Sequence, residues 1–519
     1  MSFMDSLHRG TQITEVGMRR LAWPAVLAML SHLVIQITIA FYGPASFYVI
    51  LEICTIFVVA LAVAKPCWFV IIAFAAHSRF FGLVPPSFLG LRGYWNASGF
   101  VVAAMGLAIV AGVIRRQGLK LSEFLIGKPL ALLLLYIAFS MIYPTLRRDT
   151  TLFLAIRQGR DNLLYIVYFY IASYVSEEVQ ARKIMRFLIF LAFCSTAIAV
   201  TQPILGHSRK IVPYYDVACA SFESFSMVKV YTRTFALSFF VFFYLLWRGI
   251  LSRKVLGYVV PSCLLLAGGI LEHHRAMVIG AFASFPVMLC LVPKWERGHV
   301  LKAFALAIAC VITLSIFFAV LLLDSPTKSL EIVDSFGLSG VREFLSKSGA
   351  YAARVRVNEK RWVYFKRHPF LGNGAIDPES RLGKEFGSGM SHYARELSTV
   401  DSGFLDILIQ FGIIGASILA YVIYRMFRII IRALREFSVA QASLPVDDYH
   451  RAFTLALLNF LLMLLVSLPT LSTLTWAGSI VPLMIGFGLL DVLICDTREL
   501  EGCKRDNHQL HELTRIGSW

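Results

Sequence analysis

Segment after segment of this chain runs for about 18–23 residues with almost no charge, long enough to cross a hydrocarbon core of about 30 Å. Lipid offers the backbone no hydrogen-bond partners. A spanning segment must therefore be a helix, which satisfies itself, or part of a closed barrel. Barrel strands would be about ten residues long and alternate with period two, and no such alternation is present. The chain therefore reads as an all-α, polytopic integral membrane protein with roughly 12–14 transmembrane helices. Composition agrees: 58% of the 519 residues are hydrophobic, 16% are charged, and the mean hydropathy is +0.70. Soluble domains have about 45–50% apolar and about 25% charged residues.

The spans fall near 21–42, 46–64, 66–82, 98–114, 128–146, 161–176, 184–203, 231–247, 255–272, 275–292, 302–323, 402–424, 452–470 and 476–494. The net charge of +17 could point to nucleic acid, but the basic residues sit in short clusters between apolar runs. That is how Lys and Arg set membrane topology. Alternate loops carry Arg19/Arg20, Lys65, Arg115/Arg116/Lys120, Arg182/Lys183/Arg186, Arg248/Arg253/Lys254, Lys294/Arg297 and Arg425/Arg428/Arg432/Arg435. The positive-inside rule places these loops and both termini in the cytoplasm. The remaining loops, 83–97, 204–230 and the longest, 324–401, face outward. The expected division is 1–323 and 402–495 as membrane helices, 324–401 as an outward, partly helical subdomain, and 496–519 as a cytoplasmic tail. The nine cysteines are scattered, with no CxxC pair, and read as small core residues. Residues 1–20 lack a signal-peptide pattern, so the first span is expected to insert the chain.

Several cations oppose the topological bias. Glu272, His273, His274 and Arg275 form a tight outward turn, and Arg275 then opens an otherwise uncharged span. Glu272 reads equally well as a wet turn residue. An Arg in that place must snorkel or find an anion. Arg157 and Arg160 precede one span, and Arg233 opens another. The outward loop adds Arg354, Arg356, Arg361 and Arg367 in AARVRVNEKRWVYFKRHPFLGNG. As a helix, residues 354, 358, 361 and 365 share a stripe, so Arg354 and Arg361 point one way. Trp362, Tyr364 and Phe365 would anchor that helix at the interface. Pro369 stops it, and Gly372 and Gly374 make a turn. Two readings stand: a solvated helix on the headgroups, or a bidentate phosphate site. No DxD-type carboxylate pair or P-loop is present, so a lipid diphosphate fits better than a metal-bound nucleotide.

The Arg-rich helix ending in HPFLGNG (368–374), followed by TVDSGFLDILIQFGIIG (399–415), resembles the O-antigen ligase and Wzy-type polymerase superfamily. Arg275 in HHRAMVIGAF is similar to that family's Arg at the start of a span. The resemblance implies a GT-C-like membrane glycosyltransferase of the bacterial inner membrane, acting at its periplasmic face. It implies an undecaprenyl-diphosphate-linked oligosaccharide as donor, with membrane lipids, a flippase and a chain-length regulator as partners. No cofactor, metal or nucleic acid is expected, because arginines would stabilise the departing diphosphate.

The sequence departs from the ligase pattern at one position. Where ligases carry a catalytic histidine, Asp401 stands here. A carboxylate can orient or deprotonate a sugar hydroxyl, and Asp401 can equally be the N-cap of the helix that follows. The expected catalytic set is Asp401, Arg275 and Arg354, with Arg233, Arg356, Arg361, His274 and His392 as substrate contacts. Tyr214, Tyr215, Trp362 and Tyr364 are candidate sugar platforms. The departure favours a polymerase over a ligase. A transporter is the rival from another class; it would expect broken helices at mid-bilayer and internal repeats.

Overall fold

The computed structural model describes residues 60–62, 64–77, 102, 104–110, 124–205, 216–221, 226–231, 235–252, 254–271, 275–321, 358–359, 361–376, 380–381, 383–384, 403–443, 448–469, 473–475 and 478–495. Helix follows helix, as the apolar runs require. The main ones are Gly127–Leu146, Glu178–Leu205, Phe235–Leu251, Val255–Leu271, Arg275–Leu291, Arg297–Leu321, Gly403–Ser443 and Asp448–Ser467, with Gly478–Cys495 last. Five described helices are long and apolar enough to span a membrane, and three shorter ones are also apolar. The protein is an α-helical integral membrane protein.

Three features differ from the sequence reading. The span expected at 161–176 begins as the 3-10 segment Arg160–Ile166 before becoming α-helical at Val167–Tyr174. The span expected to end at 424 continues as helix to Ser443, so its arginines lie on helix and not in a loop. Within 204–230, Asp216–Ser221 pairs antiparallel with Ser226–Tyr231, from Asp216 opposite Tyr231 to Ser221 opposite Ser226. These short, Val-containing stretches suit a pleated strand. The spans expected at 21–42 and 46–64, both termini and most of 324–401 fall largely or wholly outside the described residues.

Helices Asp448–Ser467 and Gly478–Cys495 form the centre: 83% and 94% of their apolar windows are buried, against 39% for Gly127–Leu146 and for Gly403–Phe437. The latter two therefore turn much of their surface to lipid. Lipid tails are as apolar as leucine, so packing and interhelical hydrogen bonds must join such helices. Two buried networks do so. Trp247 Nε1 donates to Asn459 Oδ1 (2.8 Å), and Asn459 Nδ2 donates to Ser284 Oγ (2.9 Å). Tyr168 donates its hydroxyl hydrogen to Asp491 Oδ2 (2.6 Å) and accepts from the Ile126 amide (3.2 Å). The Leu125 amide also donates to Asp491 (3.3 Å), so one carboxylate and one phenol cover amides at the start of helix 127–146.

The helix ends gather at two opposite faces. At one, the fully buried Glu296 pairs with Arg451 (2.8 Å) and lies 3.4 Å from His299 Nδ1. Glu178 pairs there with Arg182 and lies 3.6 Å from His450 Nε2. The Arg182 guanidinium sits 4.5 Å over the Tyr449 ring. The other face carries the start of helix 275–291 and the candidate site.

Candidate functional site

The site is framed by a break in the long helix Gly403–Ser443. At Gly412 the backbone takes φ 63°, ψ −171°, a region essentially reserved for glycine. In an unbroken helix the amides of Ile413 and Ile414 would donate to the carbonyls of Ile409 and Gln410. Here they donate to Pro369 (2.8 Å) and Phe370 (3.1 Å). The freed carbonyls of Ile409 and Gln410 accept from Asn373 (2.6 Å) and Gly374 (3.0 Å). Residues 369–374 are thus spliced into the helix, each side supplying what the other lacks.

Gly372 (φ 76°) and Gly374 (φ 73°) turn the loop back on itself. A Cβ at Gly372 would collide with the Gln410 carbonyl oxygen, and one at Gly412 with that of Phe370. The two motif halves recognised in the sequence, HPFLGNG and GFLDILIQFGIIG, are the two sides of this seam. The turn expected at Gly372 and Gly374 is present, and its purpose is this close approach.

The seam lies at membrane depth. Gly374 abuts Ser140 and Pro144 of helix 127–146, and Tyr136 of the same helix reaches the Phe411 carbonyl. At 1.5 Å per residue these positions lie about 3–15 Å below that helix's Leu146 end. Non-helical backbone is tolerated there only when protein satisfies it, which the reciprocal pairing does. Around the seam, Asn162 Nδ2 donates to Gln410 Oε1 (3.2 Å), and Asn373 Nδ2 donates to the Tyr364 carbonyl (3.1 Å).

Of the sequence-derived site residues, Arg361 is described most fully. It is only 2% exposed, so it turns into the protein and is not part of a solvated helix face. Tyr364 and Phe365 are also buried, which corrects their assignment as interface anchors. Phe365 joins a small apolar cluster with Leu405, Leu408 and Ile409, and packing on helix 403–411 draws that ring inward. Trp362 is exposed, with Val363 and Phe370 exposed beside it. Arg275 is the first residue of helix Arg275–Leu291, as the sequence suggested. Arg233, His274, Arg354, Arg356, His392, Asp401, Tyr214 and Tyr215 lie outside the described residues.

Several described elements are tied into one rim. Ser467 Oγ lies 3.0 Å from the carbonyl of Ala276, next to Arg275. Thr473 Oγ1 donates back to Leu464 (2.8 Å), and Thr475 Oγ1 donates to Asp406 Oδ2 (3.0 Å). Tyr165 donates to the Leu474 carbonyl (2.8 Å). Asp406 sits in the first turn of the helix that opens two residues after Asp401. The start of helix 275–291, turn 473–475, helix 403–411 and helix 361–367 are therefore linked through named hydrogen bonds.

Sequence reasoning missed Tyr136, Asn162, Arg147 and Asp406. A carboxylate inside an apolar run was the available signal for Asp406. Arg147 pairs with Asp149 (2.7 Å) and lies 4.6 Å over the Tyr143 ring. His368, at the mouth of the seam, is held below the ordinary histidine value by burial and then by the Arg147 charge. Arg367, stacked 4.7 Å over Tyr364, adds to the positive field there. Arg147 and Arg367 thus lend positive charge to the surface beside this turn.

Residues 260–420 match the family model described as O-antigen ligase. The matched region contains both sides of the seam and every candidate catalytic or substrate-contact residue except Arg233; Tyr214 and Tyr215 also precede it. No curated protein matches the chain.

Proposed function

We propose, from the O-antigen ligase-type domain at residues 260–420, that this protein is a polysaccharide polymerase of the bacterial inner membrane. It joins undecaprenyl-diphosphate-linked repeat units by inverting glycosyl transfer at the periplasmic face, without a metal. Both termini lie in the cytoplasm, and the Arg275 end of the bundle faces outward. The observation that carries the reading is the seam, where the two motifs of the resemblance meet beside a basic surface at membrane level. Arg275 and Arg354 hold the diphosphate and stabilise it as it leaves. Asp401 orients or deprotonates the incoming sugar hydroxyl. Arg233, Arg356, Arg361, His274 and His392 make supporting contacts with the diphosphate or glycan. A flippase supplies the lipid-linked units, and a chain-length regulator sets the polymer size.

The family's own description favours a second reading, an O-antigen ligase transferring glycan to lipid A–core. Asp401 in place of the ligase histidine weighs against it. A broken helix at membrane depth could also suggest a transporter, whose unwound carbonyls bind solute. Here the carbonyls of Ile409 and Gln410 accept from loop amides and that of Phe411 from Tyr136, which weighs against their serving a solute.

A deletion strain complemented with wild type, Arg275→Ala or Asp401→Ala separates these readings. Accumulation of single lipid-linked repeat units in the deletion, unrescued by either variant, is the expected result. Full-length lipid-linked polymer would identify a ligase. Repeat units trapped on the inner leaflet would identify a transporter and end the glycosyltransferase reading.

A further inference from the structure

The seam joins a loop to a helix whose covalent connection, residues 375–408, is long, so its geometry depends on what holds it laterally. One side chain of a third element does this. Tyr136, midway along helix 127–146, donates its hydroxyl hydrogen to the Phe411 carbonyl (2.7 Å), and the Leu371 carbonyl lies 3.3 Å from the same oxygen. One phenol thus touches both strands of the splice, a residue away from Gly412 on one side and from Gly372 on the other. Its ring lies directly against Gly415, where any side chain would collide with it.

We infer that Tyr136 is a positioning residue of the transfer reaction; this rests on the glycosyltransferase reading above. Helix 403–411 opens two residues after Asp401, and the other strand of the seam leads directly out of helix 361–367, downstream of Arg354. Closing the seam fixes helix 403–411 against helix 361–367, which carries Arg361. Tyr136 touches no substrate and acts through that separation. A displacement of about 1 Å between reacting groups can cost about 100-fold in rate, so a lost clamp appears in turnover before it appears in binding.

The test uses the full chain in lipid nanodiscs with lipid-linked glycan extracted from the deletion strain. Tyr136→Phe keeps the ring against Gly415 and removes only the hydroxyl. Turnover is expected to fall by about tenfold or more while KM stays within about twofold. Hydrogen exchange should quicken in peptides containing Asn373, Gly374, Ile413 and Ile414. Tyr170→Phe is the control: its hydroxyl donates to the Ala62 carbonyl (2.6 Å), away from the seam, and turnover should be unchanged.

Wild-type kcat in Tyr136→Phe, a rise in KM alone, or an equal kcat loss in Tyr170→Phe would each overturn the assignment. If the wild type itself transfers no glycan, the functional reading fails separately. Exchange at the seam still decides the clamp in that case, and unchanged protection in Tyr136→Phe would reject it.

Discussion

At the residue scale the decisive positions are glycines. Gly412 occupies backbone space that costs any other residue about 1–3 kcal/mol, and a side chain there would also strike the Phe370 carbonyl. Gly412→Ala is therefore expected to lower stability by at least about 1–3 kcal/mol, measured as thermal unfolding in detergent. An unbroken helix could form only if residues 369–374 withdrew. Loss of the seam would then show as faster exchange at Asn373 and Gly374; an unchanged melting temperature would contradict the backbone argument. The sequence marks Gly372, Gly374 and Gly412 as glycines, but their positive φ and shared purpose become visible only where the loop meets the helix.

At the element scale, helices hold one another by a few buried polar contacts, since lipid supplies no apolar drive between them. The start of helix 127–146, the helix that carries Tyr136, is held by Tyr168 and Asp491 of two other elements. Tyr168→Phe should cost about 0.5–1.5 kcal/mol. Combining it with Asp491→Asn should give a non-additive total in a double-mutant cycle, because the two groups share a bond. Strict additivity would mean that the 2.6 Å contact contributes nothing. The existence of these helices was legible from length and apolarity alone. Their boundaries were less so: helix 403–443 runs past its apolar span because Ile429, Ile430, Ala433, Leu434 and Phe437 remain buried.

Across the whole molecule, the two ends of the bundle are built differently. Among the described residues, the seam end is joined largely by backbone groups and hydroxyls, and the Arg451 end by charge. Glu296 is fully buried there and depends on Arg451. Removing one partner of a buried ion pair typically costs about 3–5 kcal/mol, whereas replacing both with apolar groups is often close to neutral. Arg451→Gln is accordingly expected to reduce the folded yield sharply, and Arg451→Met with Glu296→Leu to recover it, as judged by size-exclusion of detergent-extracted protein. Equal behaviour of the single and double variants would show that the pair is not the source of that end's cohesion.

What the sequence determined by itself was the class of fold, the approximate spans and the two motifs that matter, because helix formation in lipid depends on local length and apolarity. It also singled out Arg275 at a helix start, since a charge beside an apolar run is equally local. Tertiary structure alone decided that Arg361, Tyr364 and Phe365 turn inward, and that HPFLGNG enters the helix at Gly412. It also decided that Tyr136 and Asp406 belong to the frame of the site. Those outcomes follow from packing and hydrogen bonds between residues tens to hundreds of positions apart, and a bond between distant groups leaves no periodic trace in the residues between them.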